Sequence, residues 1–242
     1  MKILVSWSSG KDAAWMLHRL RTAAPGAAAG LLTTTNRAFD RVAMHGVRRE
    51  IVEAQAQAAQ LPLHVVPLPW PCSNDDYERI MREANAEFVR VGFTHVAFGD
   101  LFLDDVRQYR IDRLAGTGLT PLFPLWRTDD TRALAETMID AGLEARLVTV
   151  DPRVLDGSFA GRTFDRALLE ALPGGVDPCG ERGEFHTCAL DGPMFAHPVR
   201  VAAGEVVTRD GFVFADLVPA WPRGPAGQAR PATPAGPGTR GA

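Results

Sequence analysis

The most informative segment of the chain is residues 2–20, KILVSWSSGKDAAWMLHRL. Residues 2–7 predict a strand, and the apolar positions 13, 16, 17 and 20 have the spacing of a helix with one buried face. The loop Ser8-Ser9-Gly10-Lys11-Asp12 lies between them. Because the unpaired N–H groups and the positive dipole end of the helix face the space above the strand, the segment predicts a phosphate site.

The alternation of strands and helices continues along the chain. Strands are predicted near 29–34, 63–67, 93–98 and 145–150, and helices near 47–60, from Ser73 or Asn74 to about 88, near 103–115 and near 129–141. This order predicts an α/β fold in which helices cover both faces of a parallel sheet. Beyond residue 150, a helix near 162–172 and three short strands near 184–190, 197–202 and 205–217 predict a smaller α+β region.

We therefore expect an α/β domain with the phosphate site over 1–150, a smaller α+β domain over 151–218, and a disordered tail rich in Pro and Gly over 219–242. The net charge of -3 argues against nucleic acid as the main partner. No apolar run approaches the roughly 20 residues that span a bilayer, and we expect a cytoplasmic location without membrane contact. The three cysteines match no zinc pattern and are expected to be free thiols.

Lysine usage singles out one residue of the loop. Only two of the 26 basic residues are lysines, Lys2 and Lys11. Chance is one explanation. The other is that position 11 requires a compact ammonium group on a flexible stem, which the planar guanidinium of Arg cannot replace.

A second segment, Cys179-Gly-Glu-Arg-Gly-Glu-Phe-His-Thr187, carries a carboxylate and an imidazole close together. If residues 184–188 are extended, period-two alternation places Glu184 and His186 on one face. Such a pair could orient an amine or move protons near neutral pH. A polar strand face exposed after a Gly turn fits the same pattern.

Together, the two segments resemble the diphthine–ammonia ligase-like family of ATP-binding proteins, which belongs to the adenine-nucleotide alpha-hydrolase-like superfamily of PP-loop ATPases. The loop is similar to the family's SGGKD motif, with Ser9 in place of a Gly and Ala13 in place of a frequent Ser. The downstream segment is similar to GE(N/R)GE(F/Y)HT. Further matches in family order are residues 44–46, which include His45, and residues 99–100, 121–126 and 155–162. The resemblance covers roughly residues 1–200.

This resemblance implies a HUP-type, Rossmann-like nucleotide-binding domain, a smaller domain that carries the second segment, and an active site between them. It implies an enzyme that cleaves ATP between the α and β phosphates, adenylates a small-molecule or protein-borne carboxylate, and lets ammonia displace AMP. ATP would be bound by Ser8, Ser9, Gly10, Lys11, Asp12, Gly99 and Asp100. The substrate would be bound by Glu181, Glu184, His186, Thr187, Arg107 and Arg110.

Three catalytic residues are predicted, namely Lys11, which would stabilise the departing pyrophosphate, and Glu184 and His186, which would act on the acceptor side. Asp12 and Asp100 are candidate Mg²⁺ ligands, although a helix-cap or turn role fits each of them equally well. Arg107 and Arg110 could clamp an anion or form a solvated helix face. His45 could contact the nucleotide or the second domain, or simply occupy a turn.

Two other functions remain open at this point. A PP-loop enzyme that transfers sulfur to RNA would need an essential thiol and a basic surface. A non-catalytic module would bind adenine nucleotide without cleaving it. A homodimer is compatible with the sequence.

Overall fold

The computed structural model describes residues 1–128 and 130–221. In these residues the strands are β1 (Ile3–Ser6), β2 (Ala28–Asn36), β3 (Arg41–Val42), β4 (Leu63–Leu68), β5 (His95–Ala97), β6 (Thr120–Leu122), β7 (Glu144–Val150), β8 (Phe185–Asp191), β9 (Val201–Arg209) and β10 (Phe212–Pro219). The α-helices are α1 (Lys11–Ala23), α2 (Arg49–Ala58), α3 (Asn74–Arg90), α4 (Asp104–Leu114), α5 (Thr131–Asp140) and α6 (Arg166–Ala171).

The first sheet is mostly parallel, as predicted. Its strands follow the order β3-β2-β1-β5-β6, and β4 pairs with β2. The pairs β1/β2, β1/β5, β2/β4 and β5/β6 are parallel, whereas the two-residue strand β3 is antiparallel to β2. Strands β3 and β6 are too short to be recognised by alternation.

Alternating side chains of β1 divide the core of this sheet. Ile3 and Val5 pack with the residues of α1 and α2, whereas Leu4 packs on the opposite face with Phe88 of α3 and Phe93. Both faces of the strand are therefore covered, which explains why its sequence is continuously apolar rather than alternating. The prediction of a parallel sheet flanked by helices is confirmed.

The second sheet is antiparallel and has the order β8-β7-β10-β9. The strand expected at 145–150 was predicted to extend the parallel sheet, and this prediction is wrong. β7 pairs antiparallel with β8 and with β10. Most of its side chains are buried, a pattern that fits a central strand of either sheet, so the sequence pattern does not identify its partners.

The strands predicted at 197–202 and 205–217 also need correction. β9 begins at Val201 and ends at Arg209, where Asp210 and Gly211 form a two-residue loop to β10. Their φ angles of 50° and 82° are typical of a type I′ hairpin turn, which Asp-Gly favours. The Asp-Gly pair was the available signal for dividing the longer segment into two strands.

A buried glutamine joins the two sheets. Gln55 of α2 accepts a hydrogen bond from Nε1 of Trp7 at 2.9 Å. Its amide nitrogen donates to the carbonyl oxygens of Ser9 at 3.0 Å and of Ala189 in β8 at 2.7 Å. The first loop, the second helix and the second sheet are thus held together by one side chain.

The predicted tail begins at Pro219, which is the last residue of β10, and residues 222–242 lie outside the described part of the chain. No helix in the described residues is long and apolar enough to cross a membrane. The domain division at residue 150, the cytoplasmic location and the homodimer remain predictions.

Candidate active site

A cavity of about 1000 Å³ lies beyond the carboxyl ends of the parallel strands. The strand order changes direction at β1, which lies between β2 and β5, and ligands of open α/β sheets bind at such a point. The cavity is lined from the strands by Ser6, Ser8, Thr34 and Phe98, and from α3 and α4 by Tyr77, Asn85, Arg110 and Arg113.

The loop after β1 has the shape that its family motif requires. Ser9 has a φ of 75°, in the left-handed region that favours glycine, at the position where the motif has Gly. Gly10 is the N-cap of α1 and has an ordinary φ of -79°. A Cβ on Gly10 would lie 2.9 Å from Cε1 of His45, so glycine is needed there for close approach.

The ammonium group of Lys11 is buried beside the second sheet and does not line the large cavity. Lys11 is 1% exposed, and its Nζ donates to the Asp12 carboxylate, with 2.9 Å to Oδ2, and to the carbonyl oxygen of Cys179. The rings of Phe164 and Phe185 lie 5.3 and 5.6 Å from Nζ. Burial alone would lower the pKa of Lys11, but Asp12, Cys179 and Glu181 together outweigh it and keep the pKa above its ordinary value. The side chain is therefore a buried cation that joins the loop to the turn at Cys179.

The Gly99-Asp100 pair lies against the first turn of α1. A Cβ on Gly99 would be 3.2 Å from the carbonyl oxygen of Asp12. Asp100 pairs with Arg110, with 3.3 Å between Oδ2 and Nε. Both predicted metal ligands are thus close to the helix N-terminus, and each is paired with a cation.

Glu181 adds a third carboxylate to this region. Its Oε1 accepts a hydrogen bond from the N–H of Leu101 at 2.7 Å. Burial raises the pKa of Glu181 to about 7, and the charges of Asp12 and Asp100 add to the effect. No group of three or more acidic, His or Cys side chains in the described residues could hold a metal by itself. The two aspartates do fit a Mg²⁺ that is also bound by phosphate oxygens, because Mg²⁺ usually takes only one or two carboxylates.

The two predicted arginines lie in different environments. Arg110 lines the cavity, with its guanidinium 4.8 Å from the ring centroid of Phe98. The Arg107 guanidinium instead packs 5.2 and 5.0 Å from the ring centroids of Phe123 and Trp126. Only Arg110 is therefore placed to contact a ligand in the cavity.

The Glu184 carboxylate is directed into the turn that precedes β8. Its oxygens accept hydrogen bonds from the N–H groups of Asp177 at 2.9 Å and Arg182 at 3.0 Å, and the residue is 5% exposed. β8 begins one residue later, at Phe185, so the expected alternation does not extend back to Glu184. The structure does not bring the Glu184 carboxylate and the His186 imidazole together.

The His186 ring instead stacks on His45, with 4.5 Å between centroids and 26° between planes. Nδ1 of His45 lies 3.0 Å from the carbonyl oxygen of Thr187. Because a carbonyl can only accept, Nδ1 carries the proton and Nε2 has a free lone pair. Burial lowers the pKa of His186 to about 4, and the positive charge of Lys11 contributes; burial also holds the pKa of His45 well below its ordinary value. Both imidazoles are neutral at pH 7.

Thr187 connects this pair to the first loop. Its hydroxyl accepts a hydrogen bond from the N–H of Lys11 at 3.0 Å, so a side chain of the second sheet caps α1. Its carbonyl oxygen holds His45. Thr187 therefore positions the site rather than lining either of its cavities.

A second cavity of about 380 Å³ adjoins the first. It lies between the loop around Met44, the end of β4 and the second sheet. The two cavities have six lining residues in common, namely Val42, Ala43, Met44, His45, Leu68 and His186. The stacked histidines therefore stand at the boundary between a large cavity of mixed polarity and a smaller, more apolar one.

Comparison with known proteins finds relatives that share one enzyme name. The profile of the diphthamide synthase C-terminal domain matches residues 130–215. The diphthine–ammonia ligase of Bos taurus is 26% identical over 241 residues, which cover 90% of this chain and 89% of that protein. The enzyme of Danio rerio is 27% identical over 248 residues, with coverages of 90% and 92%. The human enzyme is 32% identical over 121 residues, which cover 48% of this chain and 45% of that protein. These similarities support the resemblance of this chain to the diphthine–ammonia ligase-like family.

The similarity to these diphthine–ammonia ligases bears out the prediction of an ATP-dependent ligase. Of the predicted site residues, Ser8, Arg110 and His186 line the large cavity. Ser9, Gly10, Lys11, Thr187 and Glu184 instead hold the surrounding backbone in place. The sequence did not decide whether His45 contacts a ligand or simply occupies a turn. The available signal for a functional role was its position within the Met44-His45-Gly46 motif match.

Proposed function

We propose that the protein uses ATP to convert a substrate carboxylate into an amide, with ammonia as the nitrogen donor and with AMP and pyrophosphate as products. The observation that carries this proposal is the His45–His186 stack at the boundary of the two cavities. A nucleotide in the large cavity and an acceptor in the second would meet at these two rings. The names of the related ligases support the same reaction class.

The first step would take place above the first loop. A carboxylate oxygen of the acceptor attacks the α phosphorus of ATP, and the bond from that phosphorus to the bridging oxygen breaks, which releases pyrophosphate. Ser8 and the first-turn N–H groups of α1 other than that of Lys11, which Thr187 already binds, would bind phosphate oxygens. We propose that Asp12 and Asp100 hold a Mg²⁺ that enters with ATP and neutralises part of the phosphate charge.

In the second step the nitrogen of ammonia attacks the acyl carbon of the adenylate, and the bond from that carbon to the AMP oxygen breaks. The nitrogen must lose a proton as the amide forms. The unprotonated rings of His45 and His186 can take up that proton, and because burial lowers the pKa of both rings they pass it on to solvent rather than hold it. Lys11 would contribute mainly by fixing the loop, because its ammonium is already bound by Asp12 and Cys179.

The sulfur-transfer alternative receives less support. It needs a reactive thiolate, and thiolates form where the pKa of a cysteine is lowered. Burial instead raises the pKa of Cys188 to about 12 and raises that of Cys179 above its ordinary value. Cys72 is the remaining thiol and is only partly buried. Replacing Cys72 with Ser should leave AMP formation intact. If the Cys72→Ser protein is folded but no longer forms AMP, sulfur transfer would be favoured.

The experiment is a nucleotide assay on the full chain. The protein is incubated with ATP, Mg²⁺, ammonium and a panel of carboxylic acids, and the nucleotides are separated by chromatography. The expected products are AMP and pyrophosphate. Exchange of labelled pyrophosphate into ATP, without ammonium, measures the adenylation step alone. ADP and phosphate as main products would contradict the proposal.

Variants at the histidines separate binding from chemistry. His186→Gln should retain ATP affinity, measured by calorimetry, and lose about 100-fold or more in AMP release, the usual contribution of a positioned general base. The matched control is His197→Gln, because His197 is exposed and lines neither cavity. Equal turnover of both variants would remove His186 from the mechanism.

A further inference from the structure

The second cavity has an apolar body with a polar inner end. Its outer wall contains Phe39 and Trp70, whose rings meet edge to face at 6.0 Å between centroids. Phe212 and Phe214 of β10 and Val207 of β9 form the wall on the second sheet. At the inner end stand His45 and His186, which also face the nucleotide cavity. Pockets with mainly hydrophobic lining and a few convergent polar groups are typical of small-molecule sites.

The charged groups around this cavity do not favour a highly charged ligand body. Asp216 is paired with Arg41 at 2.8 Å, between Oδ1 and Nη1, and also receives Arg48 at 2.5 Å. Arg209 packs over the ring of Phe39 at 5.7 Å. The Asp216 carboxylate is therefore already paired, the other two charged lining residues, Arg209 and Asp210, lie where β9 turns into β10, and the rest of the lining is neutral.

Exposure supports a binding role for the mouth of the cavity. Met44, Trp70 and Phe39 are 73%, 59% and 51% exposed, which is unusual for three large apolar side chains around one opening. A ligand body that enters the cavity would cover part of this surface. The resulting gain from apolar burial requires an apolar ligand.

We infer that the second cavity binds the apolar, preferably aromatic, body of a small-molecule carboxylic acid and directs its carboxylate towards His45 and His186. This inference rests on the proposed function and names the class of its acceptor. In this pose the carboxylate reaches the boundary of the two cavities, where it can attack the α phosphorus of ATP, while the rest of the acid stays outside the nucleotide cavity. Small dicarboxylic acids lack the body that the cavity fits.

The test consists of two titrations of the full chain, followed by ligand-observed NMR. One uses 3-phenylpropionate, and the other uses succinate, an acid that lacks the apolar body. Both titrations are made with and without α,β-methylene ATP. We expect 3-phenylpropionate to bind at least about tenfold more tightly than succinate, the order of effect that burial of one small apolar group produces. Equal affinities, or tighter binding of a glutamate-containing peptide than of 3-phenylpropionate, would overturn the inference.

Two neighbouring residues of β9 provide a matched pair of variants. Both valines are partly exposed, at 38% for Val207 and 59% for Val206, but only Val207 lines the second cavity. Val207→Trp should fill the cavity and weaken 3-phenylpropionate binding by about tenfold or more, while Val206→Trp should leave it unchanged. Calorimetric affinity for α,β-methylene ATP serves as a check on folding and should be the same in both variants. Unaltered acid binding in a folded Val207→Trp protein would overturn the inference.

The proposed reaction and the inferred acceptor class can be refuted independently. If the nucleotide analogue does not bind, the proposed reaction fails, and the acid titration without nucleotide still tests the cavity. If the protein releases AMP with acids regardless of their apolar body, the reaction stands and the inferred acceptor class is wrong.

Discussion

Replacing Lys11 with Met removes the buried ammonium and keeps a side chain of similar length and shape. The Asp12 carboxylate then loses its partner, and the buried carbonyl oxygen of Cys179 loses its donor. If Lys11 served only to bind a ligand, the unfolding free energy of the ligand-free protein would hardly change. The structure instead predicts a large loss of stability without nucleotide.

The magnitude follows from burial. Removing one partner of a buried ion pair typically costs about 3–5 kcal/mol, because the remaining charge is left uncompensated. The Lys11 side chain is 2% exposed, but that of Asp12 is 27% exposed, so water can partly solvate the remaining carboxylate. We therefore expect the lower end of the range, about 3 kcal/mol, or roughly 6–12 °C in melting temperature for a chain of this size.

Urea unfolding without nucleotide measures this change. The double variant Lys11→Met/Asp12→Asn should recover about 1–2 kcal/mol, because the unpaired charge is gone. The control is Lys2→Met, which removes the other lysine, whose Nζ donates to the carbonyl oxygen of Val91 at 2.8 Å in an exposed setting. We expect it to cost less than about 0.5 kcal/mol. Equal urea midpoints for wild type and Lys11→Met would refute the conclusion that Lys11 is a buried cation that stabilises the fold.

Three further predictions concern stability. Gln55→Leu leaves the Nε1–H of Trp7 without its acceptor and should lower the unfolding free energy, measured with urea, by about 2–3 kcal/mol. The control Gln57→Leu, on the exposed face of the same helix, should change it little. Equal losses in the two variants would contradict the hydrogen bonds assigned to Gln55. Because the folded-state pKa of Glu181 is raised to about 7 from an ordinary 4.5, the native state binds more protons between these values, and stability falls as pH rises through that window. Glu181→Gln should therefore be about 1–3 kcal/mol more stable than wild type at pH 8 and similar at pH 4.5, and a constant difference across pH would exclude the raised pKa. Asp216→Asn weakens the contacts to two arginine side chains and should lower the unfolding free energy by about 1–2 kcal/mol, with no change expected if both contacts are absent in solution.

The local pattern of the first 20 residues predicted strand, loop and helix correctly. These elements depend on interactions within a few residues: continuous apolar side chains in β1, the helical spacing of apolar residues in α1, and the glycine at the start of that helix. The repeated alternation of strands and helices then predicted a parallel sheet, because short connections through helices place successive strands side by side in the same direction.

Strand partners were harder to predict. β7 follows α5 as a further strand of the alternation, yet it pairs with β8 and β10 in the second sheet. Its side chains are buried in either arrangement. Periodicity indicates which side chains are buried and does not indicate which strand lies beside them.

The roles of the site residues depended most on the packing of the two sheets. The loop motif identified Lys11 as important, but its partner at Cys179 is 168 residues away, and His45 meets the carbonyl oxygen of Thr187 across 142 residues. The sequence therefore indicated that these residues are chemically significant. Only the tertiary structure shows whether each residue faces a ligand or supports the backbone, because that depends on which distant groups come within hydrogen-bond distance when the second sheet packs against α1. Contacts between residues so far apart leave no trace in local composition or spacing.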